Sequence, residues 1–226
     1  LQFRDSNLET ISLVNGPSDY DGVLVDKSGA VIATWASFAY EAGREIAQEN
    51  RGISAELVQE MLPLVREGRA LHSLEAELQP VPLAAARKQN LPDDWIRRLE
   101  QHSPERRQVL SVVRTVGGSP ADGLLRSGDL ILDIDGAIVN RFREVERSVQ
   151  KSSVRVTVWR DKGVQVIEVP TVALGGRDLD RIVVWAGAVL QQPHRALAAQ
   201  RGIEPDGVFV AYFSYGSPAT RYQLYA

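Results

Sequence analysis

The chain has no cysteine, one methionine and only three histidines, His72, His102 and His194, in 226 residues. The missing thiols remove disulfides, zinc ribbons and cysteine nucleophiles together, and leave the redox compartment open. With no H-E-x-x-H and no histidine pair at i, i+4, neither a histidine metal site nor another cofactor is expected. An excess of one charge is also missing, since 26 basic residues face 29 acidic ones for a formal net charge of −3. Nothing in that balance points to nucleic acid or an anionic membrane as partner. The longest uncharged apolar run, Ala30 to Tyr40, contains Thr34 and Ser37 and falls short of the ~20 residues a membrane-spanning helix needs. The sequence opens on Leu1 without an initiator methionine or a secretory signal pattern. The expectation is therefore a fragment from which any targeting peptide was removed or never included.

What is present is a hydrophobic fraction of 44%, enough for one large domain or two small ones and too much for a disordered chain. Gly22 to Asp26 and Ala30 to Trp35, joined by Lys27-Ser28-Gly29, predict a β-hairpin. Between Glu41 and Glu67 charged residues surround Ile53, Leu57, Met61, Leu62 and Val65 near helical spacing, with Ser54 placed as an N-cap. A helix linking two modules follows. Val109 to Val113 then predicts a strand, and Gly117-Gly118-Ser119-Pro120-Ala121 a short capped helix, with Pro120 at its first position and Gly128 ending it. Asp129 to Ile134 resumes as a strand, turned by Asp135-Gly136, whose residue types tolerate positive φ. Phe142, Val145 and Val149 mark a helix within Arg141 to Ser152. Val154, Val156 and Val158 alternate as in a strand, which Asp161-Lys162-Gly163 turns back into Val164 to Val169.

The strongest organisational signal is an internal repeat. Leu78-Gln79-Pro80 followed by Leu83-Ala84-Ala85-Ala86-Arg87 is echoed by Leu190-Gln191-Gln192-Pro193 followed by Ala196 to Arg201. Gly118-Ser119-Pro120-Ala121 is echoed in the same order by Gly216-Ser217-Pro218-Ala219. The second copy lacks the segment around Trp95 to Arg107 and stops after its Gly-Ser-Pro-Ala run, so it is expected to be partial.

Gly118-Ser119-Pro120-Ala121, Leu124-Leu125, Gly128-Asp129, Ile131 and Asp135-Gly136 together resemble the PDZ domains of the HtrA/Deg family of serine proteases. That resemblance implies a small five- to six-stranded sandwich with two helices. It also implies an extended peptide, often a C-terminus, added to a sheet edge beside a helix, its carboxylate held by backbone amides of a preceding loop. Asn15 to Asp26, with Gly29 and Val31-Ile32, is similar in register to the family's nucleophile segment. On that alignment Tyr20 stands at the serine position and Asp21 replaces the adjacent glycine. A phenol with an ordinary pKa of about 10 is a poorly activated acyl acceptor, and a carboxylate beside the oxyanion amides opposes the charge of the transition state. The resemblance therefore implies a degenerate protease site without a recognisable triad, as in the second half of the long, duplicated HtrA-like proteins.

The expected fold class is mainly β with short helices, α+β. Residues 1–65 would be the C-terminal piece of a degenerate trypsin-like β-barrel with a linker helix, 66–174 a PDZ domain, and 175–226 a partial second PDZ-like unit. The carboxylate loop implied by the resemblance is kept in the second unit as Trp185-Ala186-Gly187-Ala188-Val189. In the first it reads Ser73-Leu74-Glu75-Ala76-Glu77, before Leu78, where two carboxylates would repel a peptide terminus unless they point away. The first unit would then bind an internal segment, bind nothing, or pack on the barrel. Ser119 is read as a helix cap, the three histidines as structural, and Arg97, Arg98, Arg106 and Arg107 as a solvated face diluted by Glu100 and Glu105.

Expected partners are unfolded or C-terminal peptide segments and sister subunits of a homo-oligomer. The functional expectation is a non-catalytic region that recognises peptides and regulates or assembles an HtrA-like endopeptidase. The alternatives are a structural oligomerisation module with closed PDZ grooves, or the PDZ region of a C-terminal processing peptidase. The compartment would be periplasmic or extracytoplasmic in a bacterium, nuclear or organellar in a eukaryote.

Overall fold

The computed structural model describes residues 7–17, 21–42, 45–175 and 181–222. The chain is mainly β with short helices. Among the described residues no helix is long and apolar enough to cross a membrane.

The first sheet orders β1 (Thr10–Ile11), β4 (Glu45–Ser54), β3 (Val31–Ala42) and β2 (Gly22–Val25) side by side, all antiparallel. The expected hairpin is β2–β3, its turn closed by the Asp26 carboxylate, which accepts from the amides of Ser28 at 2.8 Å and Ala30 at 3.0 Å. Trp35 is buried beneath this sheet and donates its indole N–H to the Pro17 carbonyl at 3.0 Å. The helix expected within 41–67 begins only after Ser54. Its side chain caps α1 (Ala55–Arg66) by accepting from the Glu56 amide. The residues before it form β4, because the long partner strand β3 supplies a complete ladder from Ala33↔Ser54 to Ala42↔Glu45. Tertiary pairing overrides the mixed polar texture there.

The first repeat unit contains β5 (Leu71–Ser73), β6 (Ala76–Pro82), α2 (Leu83–Lys88), α3 (Asp93–His102), β7 (Gln108–Thr115), β8 (Leu130–Ile134) and β9 (Ala137–Ile138). It continues through α4 (Phe142–Ser148), β10 (Ser153–Arg160), β11 (Gly163–Pro170) and β12 (Val172–Leu174). Its main sheet runs β11-β10-β8-β7-β6, with β9 on β8, while β12 pairs β5 separately. Every residue of β8 is buried, because both sheet faces are covered, as its unbroken apolar run requires. Ile131 and Ile134 lie in the cluster with Val145 of α4 and Val149, the residue that caps its C-terminal end. Leu130 and Leu132 pack with Ile96 and Leu99 of α3 and with Trp159. Both two-residue hairpin turns take positive φ at their central residues, 52° and 84° at Asp135 and Gly136, 51° and 60° at Asp161 and Lys162.

The second unit is β13 (Ile182–Trp185), β14 (Ala188–Gln191), α5 (Arg195–Arg201), β15 (Phe209–Phe213) and α6 (Pro218–Arg221), with strand order β13-β14-β15. It repeats the first in structure as well as in sequence. The bulge between Glu77 and Leu78 in the β6–β7 pair recurs between Val189 and Leu190 in β14–β15. The Val116 amide donates to Glu75 O at 2.9 Å, and its counterpart Ser214 donates to Gly187 O at 2.7 Å. Ser119 N to Val116 O and Ser217 N to Ser214 O are both 3.1 Å. Ala121 and Ala219 are buried alike.

One expectation fails within this likeness. After Pro120 the first unit forms turns rather than a helix, and the Ser119 hydroxyl caps nothing. Asp122 takes over instead, accepting from the Gly118 amide at 3.0 Å and the Thr115 hydroxyl at 3.1 Å, and Gly123 at φ 78° leaves the helical region. The second unit has Thr220-Arg221 at those places, and there Ser217 does cap α6 by accepting from the Thr220 amide at 3.3 Å.

Candidate functional site

Tyr20 lies outside the described residues. Asp21 is exposed, and its carboxylate accepts from the Ser37 amide at 2.9 Å, tying the start of β2 to β3. Each histidine has a structural contact: His72 Nδ1 with the Thr171 hydroxyl at 2.8 Å, His102 with Glu144 at 3.0 Å, and His194 as the N-cap of α5. Among the described residues no group of His, Asp and Glu is placed to hold a metal ion.

A cleft of about 1300 Å³ lies on the first unit, between β6, α4 and α1, with α5 at one end. Among the described residues strand β6 is the terminal strand of its sheet, with no strand partner on one side of its backbone. Beside it stands α4, held at its start by the Glu144 carboxylate, which accepts from the amides of Asn140 at 2.8 Å and Arg141 at 3.1 Å. At its other end Gln150 ties α4 to β5, its side-chain amide bonding the N–H and the C=O of His72 at 3.0 and 2.9 Å.

Leu74, Ala76 and Leu78 turn inward to the core. The two carboxylates that separate them both face arginines. Glu77 meets Arg114 at 2.9 Å. Glu75, at φ 59° and with its side chain only 4% exposed, is gripped by Arg195 of α5, Nε to Oε1 at 3.0 Å and Nη2 to Oε2 at 2.5 Å. Their negative charge at the head of the cleft is thus largely offset. Glu146 of α4 also lines the cleft, where burial first and the charge of Glu75 second push its carboxyl up to about 7.

The roof is α1. Its apolar residues Leu57, Met61, Leu64 and Val65 line the cleft, and Glu56 and Glu60 reach Arg143 while Glu60 also pairs with Arg147. Hydrogen bonds from Arg143 and Arg147 hold the Glu60 carboxyl down at about 2. From the segment before β1, the side-chain amide of Asn7 reaches the free side of β6. Its Nδ2 donates to Ala76 O and its Oδ1 accepts from Leu78 N, each at 2.7 Å.

The second unit arranges the corresponding residues differently. Ala186 and Gly187 take φ 50° and 84° in the β13–β14 turn, and their carbonyls accept from Ala219 N and Ser214 N. Ala188 and Val189 lie in β14, flanked by β13 on one side and β15 on the other. Its strand edge is therefore already paired.

Asn7, Gln150, Arg195 and Glu146 carry no signal in the sequence reading, because each acts across a long separation. The α1–α4 clamp did leave one: Glu56 and Glu60, and Arg143 and Arg147, are matching i, i+4 pairs of opposite sign.

A comparison with protein-family models finds no match. Protease Do-like 7 of Arabidopsis thaliana is 32% identical over 257 aligned positions, covering 100% of this chain and 23% of the relative. The PDZ domain-containing protein C23G3.12c of Schizosaccharomyces pombe is 31% identical over 230, covering 99% of this chain and 23% of the relative. The chain thus spans about a quarter of the length of these curated relatives. Among solved structures, the HtrA-type protease AlgW with decapeptide aligns with 67% of this chain and 45% of that one, at 19% identity and a TM-score of 0.40. With similarity to such relatives running over its whole length, the chain belongs to the HtrA/Deg-like family.

Proposed function

We propose that the chain is a non-catalytic, PDZ-containing region of an HtrA/Deg-like serine endopeptidase, which takes up extended peptide segments or C-termini and so regulates or assembles the protease. In this reading residues 1–65 end a degenerate trypsin-like barrel and carry the linker helix, 66–174 are a PDZ domain, and 175–226 begin a second. The observation that carries it is β6, a terminal strand with a helix beside it over a roomy, partly apolar cleft, the arrangement in which a peptide adds as a further strand. The pairing of Glu75 and Glu77 with arginines removes most of the repulsion that a peptide's terminal carboxylate would meet. Candidate contacts are Leu74 to Leu78 in the first unit. Ala186 to Val189 qualify only if β13 is displaced.

The test is a titration followed by amide NMR, using a library of short peptides with free and with amidated C-termini. Binding should shift the amides of 76–78 and 142–150 and leave 188–191 in place. A library without a single binder removes the docking role. Hydrolysis of a protein substrate by the purified chain, abolished by Tyr20→Phe, would overturn its non-catalytic part.

A second reading, a structural module with closed grooves that assembles sister subunits, is favoured by the pairing of β14 with β13. It expects concentration-dependent self-association in sedimentation with no peptide bound.

A further inference from the structure

Asn7 meets β6 in the way a peptide would. A residue adding to a strand edge brings its own N–H and C=O, from two successive peptide groups, to backbone groups facing outward, and a primary carboxamide carries the same pair of functions on one planar group. The Asn7 amide uses both, on Ala76 O and Leu78 N. Its backbone sits at φ 54°, a left-handed conformation that asparagine accepts more readily than most residues. The contact spans 71 positions of sequence, so it is a tertiary feature that exists only when the segment leading into β1 lies against the cleft.

We infer that Asn7 is a built-in gate on the peptide edge of β6, an intramolecular stand-in that an incoming strand must displace. The inference rests on the peptide-docking reading above. The exchange conserves hydrogen bonds at the two gated groups, since the N–H and C=O of one arriving residue replace the two bonds of the amide. Asn7 holds the advantage of being tethered, which gives it a high effective concentration. Its weakness is length. A side chain ends after one amide, whereas an extended peptide continues along the strand and along α4. Weak or short ligands are therefore refused, and those that engage the rest of the cleft get in.

The test compares wild type with Asn7→Gly, which keeps the backbone freedom and removes the amide, and with Asn7→Asp, which keeps an acceptor for Leu78 N but has no donor for Ala76 O. Two readouts are taken: hydrogen exchange at the Leu78 amide, and affinity for a fluorescein-labelled library of short peptides. Losing two hydrogen bonds of about 1 kcal/mol each should speed Leu78 exchange and tighten peptide binding by roughly thirtyfold in Asn7→Gly. The Asn7→Asp protein should keep Leu78 protected and gain affinity by less. Unchanged Leu78 exchange in Asn7→Gly overturns the gate. So does faster exchange with peptides bound equally well by both proteins, an outcome that leaves the docking reading intact. If no peptide binds any of the three, the docking reading itself falls and takes the gate with it.

Discussion

Glu146 sets up a measurable conflict at the head of the cleft. Its carboxyl is raised to about 7 from an ordinary 4.5 by burial and by Glu75, while Glu75 itself is held by Arg195. Arg143 and Arg147 of the same helix also line the cleft, along with His72 of β5, but both arginines are engaged by Glu60. Because the folded form binds a proton that the unfolded chain has already released, this group weakens the fold progressively as pH rises from about 4.5 to about 7. Glu146→Gln should flatten that decline and leave the variant more stable than wild type at pH 8, as read by thermal melts across the range. A wild-type stability that instead climbs through the same window would show that the carboxyl is not buried as described.

Asp129 is a sharper case. Its side chain is 2% exposed and is matched by Arg160, whose Nε and Nη2 donate at 2.7 and 2.6 Å. Arg160→Ala leaves that carboxylate buried without its cation, and denaturant unfolding should show a loss of roughly 3 kcal/mol. The Gly128-Asp129 pair was legible as a motif. That its aspartate is a structural anchor for β10 was not, since its partner is 31 positions away.

Among the elements, α1 shows how charge fixes a roof over the cleft. Glu60 keeps its charge down to about 2 because Arg143 and Arg147 donate to it. A carboxyl lowered in this way contributes fully above about 4.5 and loses its contribution as pH falls through about 2. The clamp should therefore persist at pH 4. Salt is the effective lever, because Arg147 is 55% and Glu56 66% exposed, open to screening. Amide exchange in α1 should accelerate between low and high ionic strength, and Glu60→Gln should reproduce the effect at low salt.

The helix start was readable from Ser54, and the hairpin turns from Asp135-Gly136. Strand β4 was not, because its residues alternate poorly and its conformation is dictated by β3. The stretch leading into the cleft's edge strand, Ser73 to Leu78, was picked out by the family resemblance, whereas nothing near Asn7 in sequence announces a contact with Ala76 and Leu78.

At the scale of the molecule, the repeat is both the most legible feature and the one whose packing was hidden. Bulge, turn bonds and the buried alanine recur in both units, as matching sequence in matching order demands. How the second unit sits on the first depends on contacts with no motif. Gly117 lies so close to α5's exit that an added Cβ would come within 2.9 Å of the Ile203 carbonyl carbon, and Gly118 faces Glu204. Arg195 reaches across to Glu75. Gly117→Ala should push the two units apart while each keeps its own sheet. The expected result is a larger radius of gyration and faster exchange confined to α5 and the loop after Gly202. Unaltered scattering with a lowered global stability would mean that the strain is absorbed inside the first unit.

The Asn7 amide also has a thermodynamic counterpart running the other way. Two events that compete for the same backbone atoms are linked by one coupling free energy, and that coupling is reciprocal. Whatever Asn7 subtracts from a ligand's affinity, the ligand subtracts from the anchoring of the strand that follows Asn7. An occupied groove would therefore be reported, some 70 positions upstream, as a loosened entry into β1.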